Sequence, residues 1–364
     1  MQNEMSLEQY IEAWNAADYA VDRNELKLEF LNSLTLFHKV NCKEYDSIVT
    51  HLGLKLSSRN ALENLPFLPV GLFKFLELRS IPLSKISKTM NSSGTSGQMP
   101  SRIYLDRENS INQSKALART VIERIGLNRA PLLIIDSPNV IEDKSNFTAR
   151  GAGILGFSMF GRPVQFALNP DMSLNMDVLT KFANDCGDEP SLLYGFTSII
   201  WEHFISELIS QKARIELPNS ILIHGGGWKK LIDLQVSNEI FKEKIESVTQ
   251  INRSLNYYGM VEQTGSIFME CEKGFLHTTG YNDILIRSPH DFSIAKVGEQ
   301  GLIQVFSVLP TSYPGHSLIT EDLGRILGEE DCICGRIGKY FKVDGRMKSA
   351  EIRGCSDTYS SQFS

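Results

Sequence analysis

Apolar residues near the start of the chain recur at helical spacing. Ser6 and Gln9 have the spacing of a capping box, and apolar positions follow at Leu7, Ile11 and Trp14. The pattern predicts a second helix over about 24–37, and the prolines and aromatic residues between 65 and 82 indicate an irregular packed segment. We therefore expect an N-terminal helical region, residues 1–84, that packs on the rest of the chain.

From residue 102 onward, short apolar runs alternate with longer stretches of helical periodicity. The predicted strands are 102–105, 130–136, 191–195, 220–224 and 254–258, and the predicted helices are 110–125, 197–212 and 229–249. Apolar strands that alternate with helices are typical of a parallel sheet covered on its faces. The pattern predicts an α/β core over residues 85–265, with ligands bound beyond the carboxyl ends of its strands.

The last third of the chain has a different character. Short apolar runs at 266–270, 283–287, 301–309 and 317–320 stand between glycine and proline turns. This pattern predicts a β-rich subdomain over residues 266–345, followed by a short C-terminal arm over residues 346–364. The predicted fold class is therefore α/β with parallel-rich sheets and helices, completed by a β-rich part.

Composition and charge restrict the classes of function. Lys and Arg number 37 against 43 Asp and Glu, which gives a net charge of −6 and argues against nucleic acid as a partner. No apolar run is long enough to span a membrane, and the first residues lack the basic and apolar regions of a signal peptide. We expect a cytoplasmic protein whose six cysteines are reduced.

A loop rich in serine and glycine precedes the first predicted core strand. Its hydroxyl side chains and glycines suit the binding of a phosphate through short donors and backbone N–H groups. Such stretches are also typical of flexible connectors. The candidate phosphate-binding residues are Ser92, Ser93, Gly94, Thr95, Ser96 and Gly97.

Three further loops follow strand-like runs or lie beside them. They contain a triple glycine, a Tyr-Gly pair followed by an acid, and a second acid. Together with the serine-rich loop they offer donors for phosphates, a glycine shelf for a flat base, an acid for Mg²⁺ and an acid for ribose. The sequence therefore predicts an ATP site with Mg²⁺. The residues of these three loops are Gly225, Gly226, Gly227, Tyr258, Gly259, Glu262 and Asp322.

This set of motifs resembles the adenylate-forming superfamily, within it the phenylacetate–CoA ligase branch, and most closely the LuxE-type acyl-protein synthetases. The resemblance rests on five stretches in the right order: 67–74, 92–106, 224–229, 258–265 and 332–357. It implies a phosphate loop at 92–97, adenine stacking at Tyr258 and Gly259, Mg²⁺ at Glu262, ribose binding at Asp322 and an ATP contact at Arg346. Val261 departs from the superfamily pattern because it stands where a hydroxyl is usual.

The same resemblance has consequences for the end of the chain. Superfamily members continue into a mobile domain with a catalytic lysine, whereas this sequence ends soon after Arg346. Acyl-protein synthetases resemble this shorter form, and the resemblance implies that Cys355 accepts the acyl group before an acyl-reductase or acyl-carrier partner receives it. Lys348 and Arg353 would favour its thiolate. Alternatively, Cys355 is a small half-buried residue of a terminal strand.

Three hypotheses for the function follow from these features. The first is ATP-dependent activation of a fatty or aryl acid with transfer to Cys355. The second is a stand-alone ligase that transfers the acyl group to CoA or a carrier protein, and the third is a nucleotide-binding regulatory protein without turnover. The residues predicted to line the acyl site are Tyr194, Gly195 and His224, although a histidine at a strand end and aromatics at a turn are often structural.

Four of the remaining side chains have the composition of a zinc site. Cys332 and Cys334 form a C-x-C pair, and Cys271 and His277 stand six residues apart in the predicted β-rich part. Three thiols and one imidazole would fill a tetrahedral Zn²⁺ site, which makes the predicted role structural. The alternative is that these cysteines serve as small apolar residues.

Overall fold

The first helix begins at a capping box. The computed structural model describes residues 6–13, 22–53, 59–92, 99–142, 149–228 and 236–347. The Ser6 N–H donates to Gln9 Oε1 at 2.8 Å, and the Gln9 N–H donates to Ser6 Oγ at 3.2 Å, which confirms the predicted capping box. The helices are α1 (Leu7–Ala13), α2 (Asp22–Asn41), α3 (Lys43–His51), α4 (Arg107–Ile125), α5 (Asn139–Glu142), α6 (Ala149–Ser158), α7 (Met176–Cys186), α8 (Thr197–Ile199), α9 (Ser206–Ser210) and α10 (Asn238–Thr249).

The strands are distributed over most of the chain. Short 3₁₀ turns at Val70–Lys74 and Val261–Gln263 lie between them, and a π-helical turn, Ile200–Ile205, joins α8 to α9. The strands are β1 (Leu68–Pro69), β2 (Lys88–Asn91), β3 (Arg102–Leu105), β4 (Ala130–Ile134), β5 (Gly161–Phe166), β6 (Ser191–Phe196), β7 (Ser220–Gly225), β8 (Arg253–Tyr258), β9 (Phe268–Glu270), β10 (Leu276–His277), β11 (Asn282–Arg287), β12 (Gly301–Ser307), β13 (Ser317–Glu329) and β14 (Lys339–Arg346).

The chain divides into two compact units. One unit is formed by residues 1–120 together with 260–364, and the other by residues 121–259. The second unit is therefore inserted into the sequence of the first. The division into four parts that the sequence suggested stays a prediction.

The unit of residues 121–259 is built on a parallel sheet. Its strands lie in the order β8, β7, β6, β4, β5, and each neighbouring pair is parallel. A large apolar cluster covers one face, where Leu193 and Leu222 of the sheet pack with Phe204 and Phe241 of the helices. Apolar strands buried on their faces and joined by helices confirm the predicted α/β core.

The unit of residues 1–120 and 260–364 contains an antiparallel sheet. Strands β11, β12, β13, β14, β10 and β9 follow one another in it, and β1 pairs in parallel with β13. The N-terminal helices contribute Ile11 and Leu31 to a core that includes Leu285 and Phe306 of β11 and β12. Strands β2 and β3 form a separate hairpin. The predicted fold class is confirmed in both of its parts.

The structure differs from the predicted elements at several places. Strand β13 continues to Glu329, well beyond the predicted end at 320, because β12 and β14 pair with a stretch whose acids and glycines disfavour an isolated strand. Strands β5 and β14 and helix α7 were not predicted. The predicted helix over 197–212 contains the π-helical turn, and the one over 229–249 begins at Asn238 among the described residues. No helix in the described ranges is long and apolar enough to cross a bilayer.

Candidate functional site

The serine-rich loop connects the two strands of a hairpin. Its first residue, Ser92, pairs with Ser101 at the base of the loop: the Ser92 N–H donates to the Ser101 carbonyl at 3.0 Å, and the Ser101 N–H donates to Ser92 Oγ at 2.8 Å. The Ser92 hydroxyl therefore fixes the base of the loop. The other candidate phosphate-binding residues, Ser93, Gly94, Thr95, Ser96 and Gly97, lie outside the described residues.

Glu262 lies in the 3₁₀ turn Val261–Gln263 and is only 6% exposed. Burial raises the pKa of Glu262, while a hydrogen bond to the Ser101 side chain and the nearby Lys74 ammonium oppose that rise. The Tyr313 hydroxyl donates to the Glu262 backbone carbonyl at 2.9 Å and fixes the turn. A buried carboxylate of this kind gains from a bound cation, so this environment fits a Mg²⁺ ligand.

The residues that follow Glu262 hold its turn rigidly. Gln263 is buried, and its Nε2 donates to the Gly315 carbonyl at 2.8 Å and to the Val305 carbonyl at 3.3 Å. Gly265 has a φ of +82°, and a Cβ there would lie 2.4 Å from the Gln113 carbonyl oxygen. Only glycine fits both this backbone conformation and this close approach.

Asp322 and Arg346 lie opposite each other in the ladder of β13 and β14. The Asp322 N–H donates to Thr320 Oγ1 at 3.1 Å, and the Arg346 guanidinium forms an ion pair with the neighbouring Glu321. The acid predicted to bind ribose and the arginine predicted to contact ATP thus lie together on adjacent strands, at the C-terminal end of β14. Their predicted roles in ATP binding stay predictions.

The triple glycine begins at the last residue of β7 and lies against aromatic rings. Gly225 ends the strand, and a Cβ there would lie 2.4 Å from Tyr257 Cε1. Gly226 has a φ of +79°, and its Cβ would lie 2.9 Å from Phe196 Cδ1, whereas Gly227 faces open space. At the end of β8, Tyr258 is half-buried and Gly259 is exposed. The first two glycines are needed for these close approaches.

The predicted acyl-binding residues lie on two faces of the parallel sheet. Tyr194 pairs with Ile223 in the register of β6 and β7, and Gly195 pairs with His224. Because neighbouring side chains of a strand point to opposite faces, Tyr194 and His224 face opposite sides. The structure therefore does not bring these two side chains together, and their acyl-binding roles stay predictions.

His224 is surrounded by core residues. Its ring lies 4.4 Å from that of Phe241, and burial lowers its pKa to about 3, with a smaller contribution from Lys242. Thr197 Oγ1 lies 3.0 Å from His224 Nδ1 and donates its proton to the Gly225 carbonyl at 3.2 Å. These contacts hold the His224 ring within the core.

The four predicted zinc ligands converge in the unit of residues 1–120 and 260–364. The donor atoms of Cys271, His277, Cys332 and Cys334 all lie within 4.8 Å of one another. Cys334 Sγ lies 3.5 Å from His277 Nε2. A tetrahedral Zn²⁺ with bonds of about 2.0–2.3 Å would place its ligand atoms roughly 3.4–3.8 Å apart, so a small contraction of the cluster gives that geometry.

Local structure and electrostatics support this convergence. His277 in β10 lies opposite Tyr340 in β14, and their rings stack at 5.8 Å. A turn with Gly335 at a φ of +77° returns the chain after the C-x-C pair. Burial, together with the neighbouring Cys271 and Cys334 thiols, raises the pKa of Cys332 to about 12. Close thiols disfavour each other's ionisation, which a bound cation would relieve. The donor set fits zinc.

Sequence reasoning missed three candidate residues. Ser101 and Lys74 interact with Glu262 from hairpin β2–β3 and from the turn after β1, and no local motif links such distant positions. Tyr257 stands directly before the Tyr-Gly motif, and strand alternation would have placed it on the face opposite Tyr258. Cys355, the predicted acyl acceptor, lies outside the described residues.

The fold is similar to that of solved ligases. A 2-hydroxyisobutyryl-CoA ligase in an open conformation, in complex with 2-HIB-AMP and CoA, matches 92% of this chain and 77% of that chain, with a TM-score of 0.70 and 16% identity. The same ligase with 2-HIB-AMP and CoA in the thioesterification state matches 92% of this chain and 70% of that chain, with a TM-score of 0.70 and 17% identity. The chain has the fold of an adenylate-forming ligase.

The sequence comparison is more specific. The family model described as acyl-protein synthetase, LuxE, matches residues 19–364. The chain therefore belongs to the LuxE family of acyl-protein synthetases, which confirms the resemblance found in its motifs. Membership supports ATP-dependent activation of an acid as the class of chemistry. A search of curated protein sequences gave no significant match.

Proposed function

We propose that the protein activates a carboxylic acid with ATP. A carboxylate oxygen of the acid attacks the α-phosphorus, the bond from that phosphorus to the bridging oxygen breaks, and acyl-AMP and pyrophosphate form. The match to the LuxE family over residues 19–364 carries this proposal. The loop after Ser92 would hold the phosphates, and Asp322 and Arg346 would bind the ribose end of ATP.

Glu262 is the proposed Mg²⁺ ligand. Its burial and its hydrogen bond with Ser101 keep the carboxylate in one place, and Lys74 adds a positive charge nearby. When bound, Mg²⁺ would neutralise charge on the phosphates as pyrophosphate leaves. A fixed charge arrangement of this kind stabilises the transition state without reorganisation during the reaction.

Acid-dependent exchange of labelled pyrophosphate into ATP tests the first step. We expect exchange with at least one member of a panel of aliphatic and aryl monocarboxylic acids. The absence of exchange across the panel would favour the alternative of a nucleotide-binding protein without turnover, provided that ATP binding is retained.

The second step that we propose is transfer to Cys355. Its thiolate sulfur would attack the acyl carbonyl carbon, the bond from that carbon to the AMP oxygen would break, and AMP would leave with the electron pair. The resulting thioester would pass the acyl group to a protein partner such as an acyl reductase or an acyl carrier. Support for this step comes from family membership.

Intact-mass measurement after incubation with ATP and acid tests the acceptor. Wild-type protein should gain the mass of one acyl group, which hydroxylamine removes as expected for a thioester. Cys355→Ser should retain pyrophosphate exchange but lose the added mass, whereas the neighbouring variant Ser356→Ala should keep both. Acylation that persists in Cys355→Ser would contradict the proposed acceptor.

A CoA ligase is the second candidate function. The observation that favours it is the fold, which is similar to that of a ligase solved with CoA. In that case, CoA or a carrier pantetheine would release AMP from the acyl-adenylate equally well in wild-type protein and Cys355→Ser. Measuring AMP release with and without CoA in both proteins separates the two acceptors.

We also propose that Cys271, His277, Cys332 and Cys334 hold a structural Zn²⁺. Their four donors would fill the coordination sphere and leave no position for substrate. Metal analysis of protein purified without chelator should give about one zinc per chain. Cys334→Ser should lower that content, while Cys186→Ser, at a buried cysteine outside the cluster, should not. Zinc-free, fully folded wild-type protein would contradict the site.

A further inference from the structure

Four aromatic rings gather on one face of the parallel sheet, at the carboxyl ends of its strands. We call Phe157, Tyr194, Phe196 and Tyr257 the aromatic wall. The centroids of the stacked Phe157 and Tyr194 rings lie 4.1 Å apart, and those of Phe157 and Tyr257 lie 5.4 Å apart. The Tyr194 and Phe196 rings meet edge-on, with centroids 6.2 Å apart. The register of β6, β7 and β8 places the three strand residues on the face opposite His224.

A glycine-rich helix covers this face. A Cβ on Gly153 of α6 would lie 2.6 Å from the Tyr194 hydroxyl and 3.2 Å from Phe196 Cζ, so the absence of a side chain gives these rings their space. Phe157, one turn further along α6, supplies the stacked ring. At the start of the helix, Arg150 donates to both carboxylate oxygens of the buried Asp136 after β4, which anchors α6 to the sheet.

Exposure changes along the aromatic wall. Tyr194 is 1% exposed and Phe157 3%, whereas Phe196 and Tyr257 are half-buried and the adjoining Gly226 is exposed. The wall thus has a closed, fully buried end and an accessible end beside the triple glycine. In a pocket that follows these rings, the reacting end of a ligand would lie at the glycines. Its tail would point toward Tyr194 and Phe157.

The chemistry of the wall selects against charge. The Tyr194 and Tyr257 hydroxyls bond each other at 2.9 Å, and burial raises the pKa of both phenols, so both stay neutral. The two carboxylate oxygens of Asp136 are bound by Arg150, and one of them also accepts from the Ser137 N–H. These groups offer no ionic partner to an acyl tail, and aromatic faces favour apolar groups.

We propose that the aromatic wall closes the acyl-binding pocket, sets the longest acyl group that the protein accepts and excludes a second charge from the acyl tail. The inference rests on the proposed function, in which an acid is activated. Phe157 and Gly153 are the specificity-determining residues, because one fills the closed end and the other leaves room for Tyr194.

Two substitutions should move the preference in opposite directions. Phe157→Ala empties the closed end, so longer acids should gain roughly tenfold or more for each methylene group newly accommodated. Gly153→Ala introduces a methyl group that must displace the Tyr194 hydroxyl, so the preference should move toward shorter acids. Phe157→Leu provides a milder opening should Phe157→Ala fold poorly. Phe182→Ala is the control, because Phe182 is equally buried but lies in the core cluster outside the wall.

The experiment measures two quantities on the full chain for each variant. One is the rate of pyrophosphate exchange with straight-chain acids from acetate to palmitate and with the matching dicarboxylic acids. The other is the shift in Tm caused by each acid in the presence of AMP, which requires binding but no turnover. We expect opposite shifts in preferred length for the Phe157 and Gly153 variants, no shift for Phe182→Ala, and rejection of dicarboxylic acids.

The outcomes separate this inference from the proposed function. Exchange with an unchanged length preference in the folded variants would overturn the role of the wall and leave acid activation intact. Acid-dependent Tm shifts that follow the variants without any exchange would support the wall and overturn acid activation. If wild-type protein shows neither exchange nor acid-dependent Tm shifts, both are overturned.

Discussion

Asp283→Asn should strongly destabilise the unit of residues 1–120 and 260–364. The Asp283 carboxylate is bound by two ammonium groups: Lys27 Nζ lies 2.7 Å from Oδ2, and Lys339 Nζ lies 2.8 Å from Oδ1. All three side chains are at most 14% exposed. Burial works to raise the pKa of Asp283, but the two lysines outweigh it and hold that pKa well below its usual range.

The expected cost follows from the charge that remains. The asparagine keeps the volume of the side chain but leaves two buried ammonium groups without their shared anion. Breaking a buried ion pair by removing one partner costs about 3–5 kcal/mol, and two cations place this variant in the upper part of that range. Lys27→Met removes one of the two cations, so the double variant should recover part of the loss.

Urea unfolding followed by circular dichroism measures these free energies. Asp171→Asn is the control, because Asp171 is an exposed loop aspartate, and its midpoint should match that of wild-type protein. The lowered pKa of Asp283 means that its contribution is present above the unfolded-state pKa of about 4 and is lost as the pH falls below it. If Asp283→Asn lowers the free energy of unfolding by less than about 1 kcal/mol, or if the double variant recovers none of the loss, this account of Lys27, Asp283 and Lys339 is refuted.

Three further predictions concern the site and the core. Glu262→Gln should lower pyrophosphate exchange about 100-fold or more at an unchanged Tm, because a neutral amide replaces the proposed Mg²⁺ ligand. Gly265→Ala should lower the free energy of unfolding by about 2 kcal/mol or more in urea melts, since it combines a positive φ with a backbone collision. Burial lowers the pKa of His38 and that of His224 to about 3, and it lowers the pKa of His316 well below its usual value. The free energy of unfolding should therefore be highest above pH 6.5, where the unfolded-state histidines are neutral too. Below pH 6.5 it should fall by up to about 1.4 kcal/mol per pH unit for each of these histidines. Equal urea midpoints at pH 7 and pH 5 would contradict their burial as neutral groups.

Local patterns predicted the parts of the fold that depend on neighbouring residues. The capping box at Ser6 and the apolar strands of the parallel sheet follow from spacing alone, and both are confirmed. The structure adds a cap at Asp106, whose side chain accepts from the Asn109 N–H at 2.8 Å at the start of α4. Strand β14 escaped prediction because its Lys-Tyr-Phe-Lys stretch acquires its strand conformation from pairing with β13 and β10.

The cysteine and histidine cluster was predictable because few residue types bind zinc, so its members could be grouped by type. Cys332 and Cys334 could be grouped with Cys271 and His277 from composition, and the structure brings the four together. The support around Glu262 was not predictable, because Ser101 and Lys74 come from segments more than a hundred residues earlier. Likewise, the opposite faces of Tyr194 and His224 follow from strand register, which periodicity in a single strand does not define.

The insertion of residues 121–259 between the two halves of the other unit bears on synthesis at the ribosome. The apolar residues Ile11 and Leu31 emerge early, but their partners Leu285 and Phe306 are made only after the inserted unit. At about 5–20 residues per second, the stretch from Leu31 to Leu285 takes roughly 13–50 seconds to synthesise, so the N-terminal helices wait that long for their core partners. The inserted parallel sheet can fold during this interval. Residues 121–259 can therefore fold before the unit that contains the N-terminal helices.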